Sequence, residues 1–391
     1  MEYIPDRYQN PLLRDDIGYQ ETEELLFDLT AEIESVYGIA YEEMLVKCRK
    51  YLEWFTILDT AKRKLLDEGK ITDEEYKQWR NSKMFTGRQN YAMLETLSND
   101  MVNANMIAAS IINGYMPEVY AINGNYIEYK ISSDLNINLA FTLFDEQTVE
   151  MLVQKKPDLL PKAAVNIPID KRWNKQKLTS AIAQGILQGE TTDEIAKRLA
   201  AVTDMNKNSA IRNASTMTTS AQNAGRVEGA KRAERMGVQL EGTWIATLDG
   251  LTRASHRHVD GERRKVGQKF SNGLLYPGDP QGKPEEVYNC RCAYAVIVKG
   301  ADVSLEDREN RLDGMPYEQW KNSKGGEPLF KAARNANRDY DMHEEYMDLL
   351  GKRVPSTLKG FQDLKYKNPE AWKKMVSDAR KARNARRKKS G

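Results

Sequence analysis

From Glu21 to about Glu68, the apolar residues Leu25, Leu29, Ile33, Val36, Ala40 and Met44 recur at spacings of three and four. That period sets them in one stripe along an α-helix, and such a stripe needs a partner to cover it. Gly38 is placed to bend or break the run, and Gly69 suits a helix C-terminus. The run is longer than an ordinary globular helix, so it reads as a helical hairpin or a long coiled-coil-like element. Thr72 with Glu75 has the form of a capping box and starts a second helix. Residues 85–115 read as a third. The period then changes: Val119–Ile122 and Tyr126–Ile131 flank Asn123-Gly124-Asn125, which predicts a β-hairpin near 119–131. Pro157, Pro161 and Pro168 mark a loop or boundary near 155–170.

Residues 174–189 and 191–201 read as two short amphipathic helices, Gly189 ending the first and Thr191 with Glu194 capping the second. The 206–237 stretch is helical but dominated by Ala, Ser, Thr and Asn, small enough for close packing in a domain interior. From 239 to 300 the pattern is strand and loop, with Trp244–Thr247 and Ala293–Val298 as strands. Residues 327–350 and 369–388 read as helices. The expected fold is mostly α with a small α+β core domain, elongated and multi-domain. Its parts are an arm at 1–20, a helical region at 21–160, a core at 165–300 (helices 174–237, β/loop segment 239–300) and a helical basic tail at 301–391.

No run approaches the ~18 apolar residues of a membrane-spanning helix. The first residues lack the basic and apolar regions of a secretory signal. Three cysteines in 391 residues exclude a disulfide scaffold and suit a reducing compartment. The net charge of +2 conceals segregation: residues 1–150 carry −13, 151–300 carry +9, 301–350 carry −5 and 351–391 carry +11. Opposite ends of this kind fit different partners, or neighbouring copies of each other; ordinary solvated helix faces are the plainer reading.

Two of the three histidines and two of the three cysteines fall between 256 and 292. Around them stand Trp244, Asp249, Thr252-Arg253, His256, Asp260-Gly261, Phe270-Ser271-Asn272-Gly273, Pro277-Gly278-Asp279-Pro280 and Asn289-Cys290-Arg291-Cys292. In this order, and preceded by the helix Ile211–Gly237, they resemble the phage Mu F-like minor head protein (head morphogenesis) family over about 165–300. The resemblance implies a structural virion protein without demonstrated catalysis, inside the head near the portal vertex and in the host cytoplasm during assembly. It implies roles in head assembly and in DNA packaging, retention or ejection. Its partners would be the portal protein, with major capsid or scaffolding protein as further candidates, and no membrane is involved inside the head. The motif residues would be a structural core.

Three chemistries remain open on the residues themselves. His256-x-His258 and Cys290-x-Cys292, each on one face of an extended strand, would offer zinc a tetrahedral structural set. Against that, zinc cysteines usually sit two to four apart, and the alternative is small buried hydrophobes with histidines orienting loop backbone. Asp249, Arg253, His256, His258 and Asp260 have the residue types of an acid–base cluster, as in a nuclease or phosphotransferase. No nucleophile elbow, phosphate-binding loop or HExxH motif accompanies them, and turn chemistry explains the acids. The tail holds Arg380, Lys381, Arg383, Arg386, Arg387, Lys388 and Lys389, with Arg380, Arg383 and Arg387 on one helical face. It fits sequence-nonspecific contact with double-stranded DNA through phosphates; docking on an acidic protein surface, as in a protein-only scaffold, is the competing reading.

Overall fold

The computed structural model describes residues 16–136, 142–188, 190–300, 315–324 and 326–389, apart from the side chains of 85, 86 and 387–389. Most of the expected arm at 1–20, and Gly189, lie outside them. The described chain falls into two compact units, Asp16–Val238 with Gly278–Cys290, and Gln239–Pro277 with the residues from Arg291 onward. Helices 174–237 of the expected core thus group with the N-terminal helices, and most of its β/loop part groups with the C-terminal ones. Among the described residues no helix is long and apolar enough to cross a membrane.

The helical unit is built on three long helices, α1 (Ile17–Asp67), α3 (Arg88–Leu135) and α6 (Thr192–Arg235). Shorter helices join them: α2 (Asp73–Asn81), α4 (Glu146–Lys155) and α5 (Ile167–Gln188). The α1 stripe is buried at Leu29, Ile33, Tyr37, Ala40, Met44, Cys48 and Phe55. The helix runs through exposed Gly38 without breaking. Gly69 stands just past its end with φ +67°, and both capping boxes form, at Thr72 and at Thr191.

The hairpin expected near 119–131 does not exist, because α3 continues through Asn123-Gly124-Asn125. These letters serve a helix crossing instead. A Cβ on Gly225 of α6 would stand 2.3 Å from the Tyr120 carbonyl oxygen, and one on Gly229 would stand 2.5 Å from that of Gly124. Asn123 is wholly buried; its amide donates to Thr22 Oγ1 (2.7 Å) and to the Val119 carbonyl (2.9 Å). Its Oδ1 accepts from Arg226 Nε at 2.8 Å. Arg226 in turn grips Asp16, the N-cap of α1, through two 2.7 Å bonds. Residues 191–201 and 206–237, expected as separate helices, are one α6.

In the second unit, β1 (Leu240–Ile245) is central in a three-stranded antiparallel sheet, between β2 (Arg263–Lys265) and β3 (Ala293–Val298). Trp244 pairs with Tyr294, whose ring fills the space a side chain at Gly242 would need. The C-terminal part has α9 (Tyr317–Asn322), α10 (Pro328–Arg334), α11 (Ala336–Leu350), α12 (Leu358–Lys367) and α13 (Pro369–Lys389). The expected 327–350 helix is divided at Asn335 into α10 and α11. Tyr346, Leu350, Phe361, Met375 and Ala379 form the core that joins α11, α12 and α13.

Two predictions follow from the α3–α6 contact. Gly225→Ala is expected to cost about 1–3 kcal/mol, because a rigid carbonyl must move. Gly38→Ala, with open space around it, is expected to stabilise by about 0.5–1 kcal/mol. Urea denaturation of both variants checks the opposite signs. The second concerns Glu128 of α3, which is 1% exposed. Arg232 Nε lies 2.9 Å from its Oε1, yet neither carboxylate oxygen accepts a well-aligned hydrogen bond. Burial pushes its pKa up to about 7, opposed by Arg232. A carboxyl raised in the folded state holds its proton more tightly there, so stability falls as pH rises from about 4.5 to about 7. Glu128→Gln is expected to flatten that slope in unfolding curves measured across the window.

Candidate functional site

The site expected from the motif residues begins where β1 ends. After Ile245 the chain turns at Asp249, whose Oδ1 accepts from Leu251 N (3.0 Å), Thr252 N (2.9 Å) and Thr252 Oγ1 (2.9 Å). Arg291 forks onto the same carboxylate at 2.6 and 3.0 Å, and its own carbonyl accepts from Thr247 Oγ1 at 2.8 Å. Trp320 Nε1 donates to the Asp249 carbonyl at 3.2 Å. Asp260 is 2% exposed; its Oδ1 accepts from Ala246 N at 2.8 Å and its Oδ2 from the Tyr317 hydroxyl. Lys321 donates to its carbonyl at 3.0 Å. Both acids thus hold loop backbone and fixed side chains in place.

His256 and His258 do not share a face. They stand on a short helix, α7 (Ala254–His258), where residues two apart point in divergent directions, and not on a strand. His256 is buried, with its ring edge-on to Trp244 at 5.0 Å and Nδ1 3.5 Å from Cys292 Sγ. His258 is exposed. The expected pairing of His256 with His258 on one face is therefore absent, and His256, Cys290 and Cys292 are each buried. The acid–base cluster separates in the same way, His256 facing inward and His258 outward.

Sequence reasoning missed Arg257, between the two histidines. It is buried and donates to the Thr252 carbonyl and, at 2.5 Å, to the Ser323 carbonyl. Its guanidinium stacks over Phe330 at 4.4 Å, and burial lowers its pKa from the ordinary value. Only the basic run around it hinted at this role, and a buried arginine has no periodic signature.

The other motif positions shape backbone. Gly261 and Gly273 have φ of +76° and +85°, a region that favours glycine. Asn272 Oδ1 accepts from Leu274 N at 3.2 Å, and Phe270 packs edge-on against Trp244 and Tyr294. In the helical unit's 278–290 segment, which carries the short helix α8 (Pro284–Val287), Asp279 Oδ1 accepts from Gln281 N at 3.0 Å beside Pro280. Asn289 has φ +58°, and its backbone N–H donates to Thr216 Oγ1 at 2.9 Å. Pro277 ends the preceding segment, and Arg253 is the N-cap residue of α7.

The tail residues are not equivalent. Arg383 bonds Glu345 of α11 at 3.0 and 2.5 Å, and Arg386 bonds Asp348 at 2.5 Å. The Arg386 guanidinium holds the Asp348 carboxyl below its ordinary pKa. Arg380 and Lys381 are exposed. The side chains of Arg387, Lys388 and Lys389 lie outside those described, so the expected Arg380/Arg383/Arg387 face divides at Arg383, which turns toward α11.

The Asp249–Arg291 pair yields a stability prediction. Asp249→Ala strands a partly buried guanidinium and three turn donors, and is expected to destabilise the second unit by about 3–5 kcal/mol. Thermal unfolding followed by Trp244 and Trp320 fluorescence measures it.

Residues 176–295 match the family model described as Phage Mu protein F like protein. NAD(+)--arginine ADP-ribosyltransferase EFV of Enterococcus faecalis is 28% identical over 221 residues, which are 54% of this chain and 44% of that protein. Minor head protein GP7 of Bacillus phage SPP1 is 29% identical over 199 residues, 48% of this chain and 63% of that protein. The chain thus spans less than two thirds of either relative. No solved structure matches it.

Proposed function

We propose that this chain, which matches the Phage Mu protein F like model over residues 176–295 and is similar to a phage minor head protein, is a structural component of a tailed-phage head. In this reading it associates with the portal inside the assembling head and takes part in packaging, retaining or ejecting DNA. The 176–295 match carries the proposal. The way Asp249 and Asp260 are consumed in holding turns supports a scaffolding role for that segment over an acid–base one. The basic C-terminal helix supplies nonspecific contact with the DNA.

The decisive experiment isolates heads and procapsids, the latter assembled with and without portal, and looks for the protein in each by mass spectrometry. The protein is expected in wild-type heads and in portal-containing procapsids, and absent from procapsids assembled without portal. Its recovery only outside heads would overturn the proposal. Equal recovery with and without portal would overturn the portal association alone.

The Enterococcus faecalis relative's name raises a second reading, transfer of ADP-ribose to arginine. The structural reading expects no transfer above background when the purified chain is incubated with labelled NAD+ and an arginine-containing acceptor. Acceptor labelling would replace it with an enzyme.

A further inference from the structure

The C-terminal helix α13 has two sides of different chemistry. Trp372, Met375, Ala379 and Ala382 pack into the core shared with α11 and α12. Arg383 and Arg386 lie on that same side and are held by Glu345 and Asp348. On the opposite side stand Lys373, Lys374, Arg380 and Lys381, all exposed. At 3.6 residues per turn they occupy an arc of about 120°, centred opposite the buried stripe. Ser377 and Asn384 share the arc. Of the two acids of α13, Glu370 in the first turn shares the arc and Asp378 lies about 40° outside it. Among the described residues, none of the four cations has an acidic partner within ion-pair distance, whereas Arg383 and Arg386, also exposed, do.

We propose that this outward face of α13, Lys373, Lys374, Arg380 and Lys381, is the surface that contacts the phosphates of double-stranded DNA, and that Arg383 and Arg386 are struts that hold the helix against α11. The inference rests on the DNA contact proposed above and assigns it to residues. A cation already neutralised by a carboxylate must lose that partner before it can meet a phosphate, while an unpaired one gives up only water and counterions. Successive pairs on this face, 373/374 and 380/381, are seven residues apart, roughly 10.5 Å along the helix. That spans about three phosphates of one strand at ~3.4 Å of axial rise each. The face contains no aromatic side chain and no side-chain fork fixed by a neighbour, so it is suited to reading charge and not sequence.

The test measures binding of the full-length chain to a mixed-sequence duplex between 50 and 200 mM salt. Each phosphate contact contributes about −0.9 to the slope of log K against log salt. The variant K373Q/K374Q/R380Q/K381Q is therefore expected to lose about 3–4 from the slope's magnitude and about 100-fold in affinity at the low-salt end. The variant R383Q/R386Q is expected to keep the slope within about one unit and to lower the unfolding temperature of the C-terminal helices instead. Circular dichroism of the quadruple variant, whose substitutions are all on exposed positions, confirms that the helix remains. Wild-type slope in the quadruple variant, or loss of slope in R383Q/R386Q alone, would overturn this assignment while leaving the DNA contact standing. A wild-type chain that binds no duplex would overturn the DNA contact itself, and this surface with it.

Discussion

The helical unit depends on how closely α3 and α6 approach. Gly225 and Gly229 bring the α6 backbone against the carbonyls of Tyr120 and Gly124. Any side chain there would hold the helices apart. At that distance Arg226 reaches past Asn123 to Asp16, and the one guanidinium ties three helices together. Asn123 passes the link on to Thr22, whose hydroxyl donates to the Gly18 carbonyl at 2.6 Å. Breaking a buried pair is costly because the remaining charge has no water to turn to. The polar network therefore fixes which residues of the three helices face each other, while the apolar stripes supply most of the burial.

Local signals in the sequence translate directly into structure. The stripe from Leu29 to Met44, the capping boxes at Thr72 and Thr191, and the strand at 293–298 are written in near neighbours, whereas the first strand, expected at 244–247, runs from Leu240 to Ile245 and is set by its pairing with β3. Tertiary contacts defeat the same kind of signal elsewhere. Asn123-Gly124 is a turn pair by local rules, but buried against α6 its amide and its missing side chain are worth more inside a helix. The Asp16–Arg226 pair, 210 residues apart, leaves no trace in any window of sequence. The histidines fail for a related reason: a five-residue helix has no period to detect, so His256 and His258 read as a strand pair.

At the candidate site the polar residues were legible as a group, while their use was not. Asp249, Arg253, His256, His258 and Asp260 have the composition of a catalytic centre, but the two acids are bound to backbone amides and to other side chains, and the two histidines part company on α7. A loop with little regular hydrogen bonding needs such groups to satisfy its amides and carbonyls. Seen this way, the density of charged residues between 249 and 291 measures how much irregular backbone the segment must hold in one shape.

The first helix begins with a residue whose counter-ion is encoded near the end of the sixth. Asp16 leaves the ribosome 210 residues before Arg226. At synthesis rates of about 5–20 residues per second, that is a wait of roughly 10–40 s. Through that interval α1 and α3 can form their turns, yet Asn123 and the Asp16 carboxylate lack the group they finally bind. The link among the three long helices is thus made only when α6 emerges between partners already synthesised, and until then the two earlier long helices present faces whose final partner is absent.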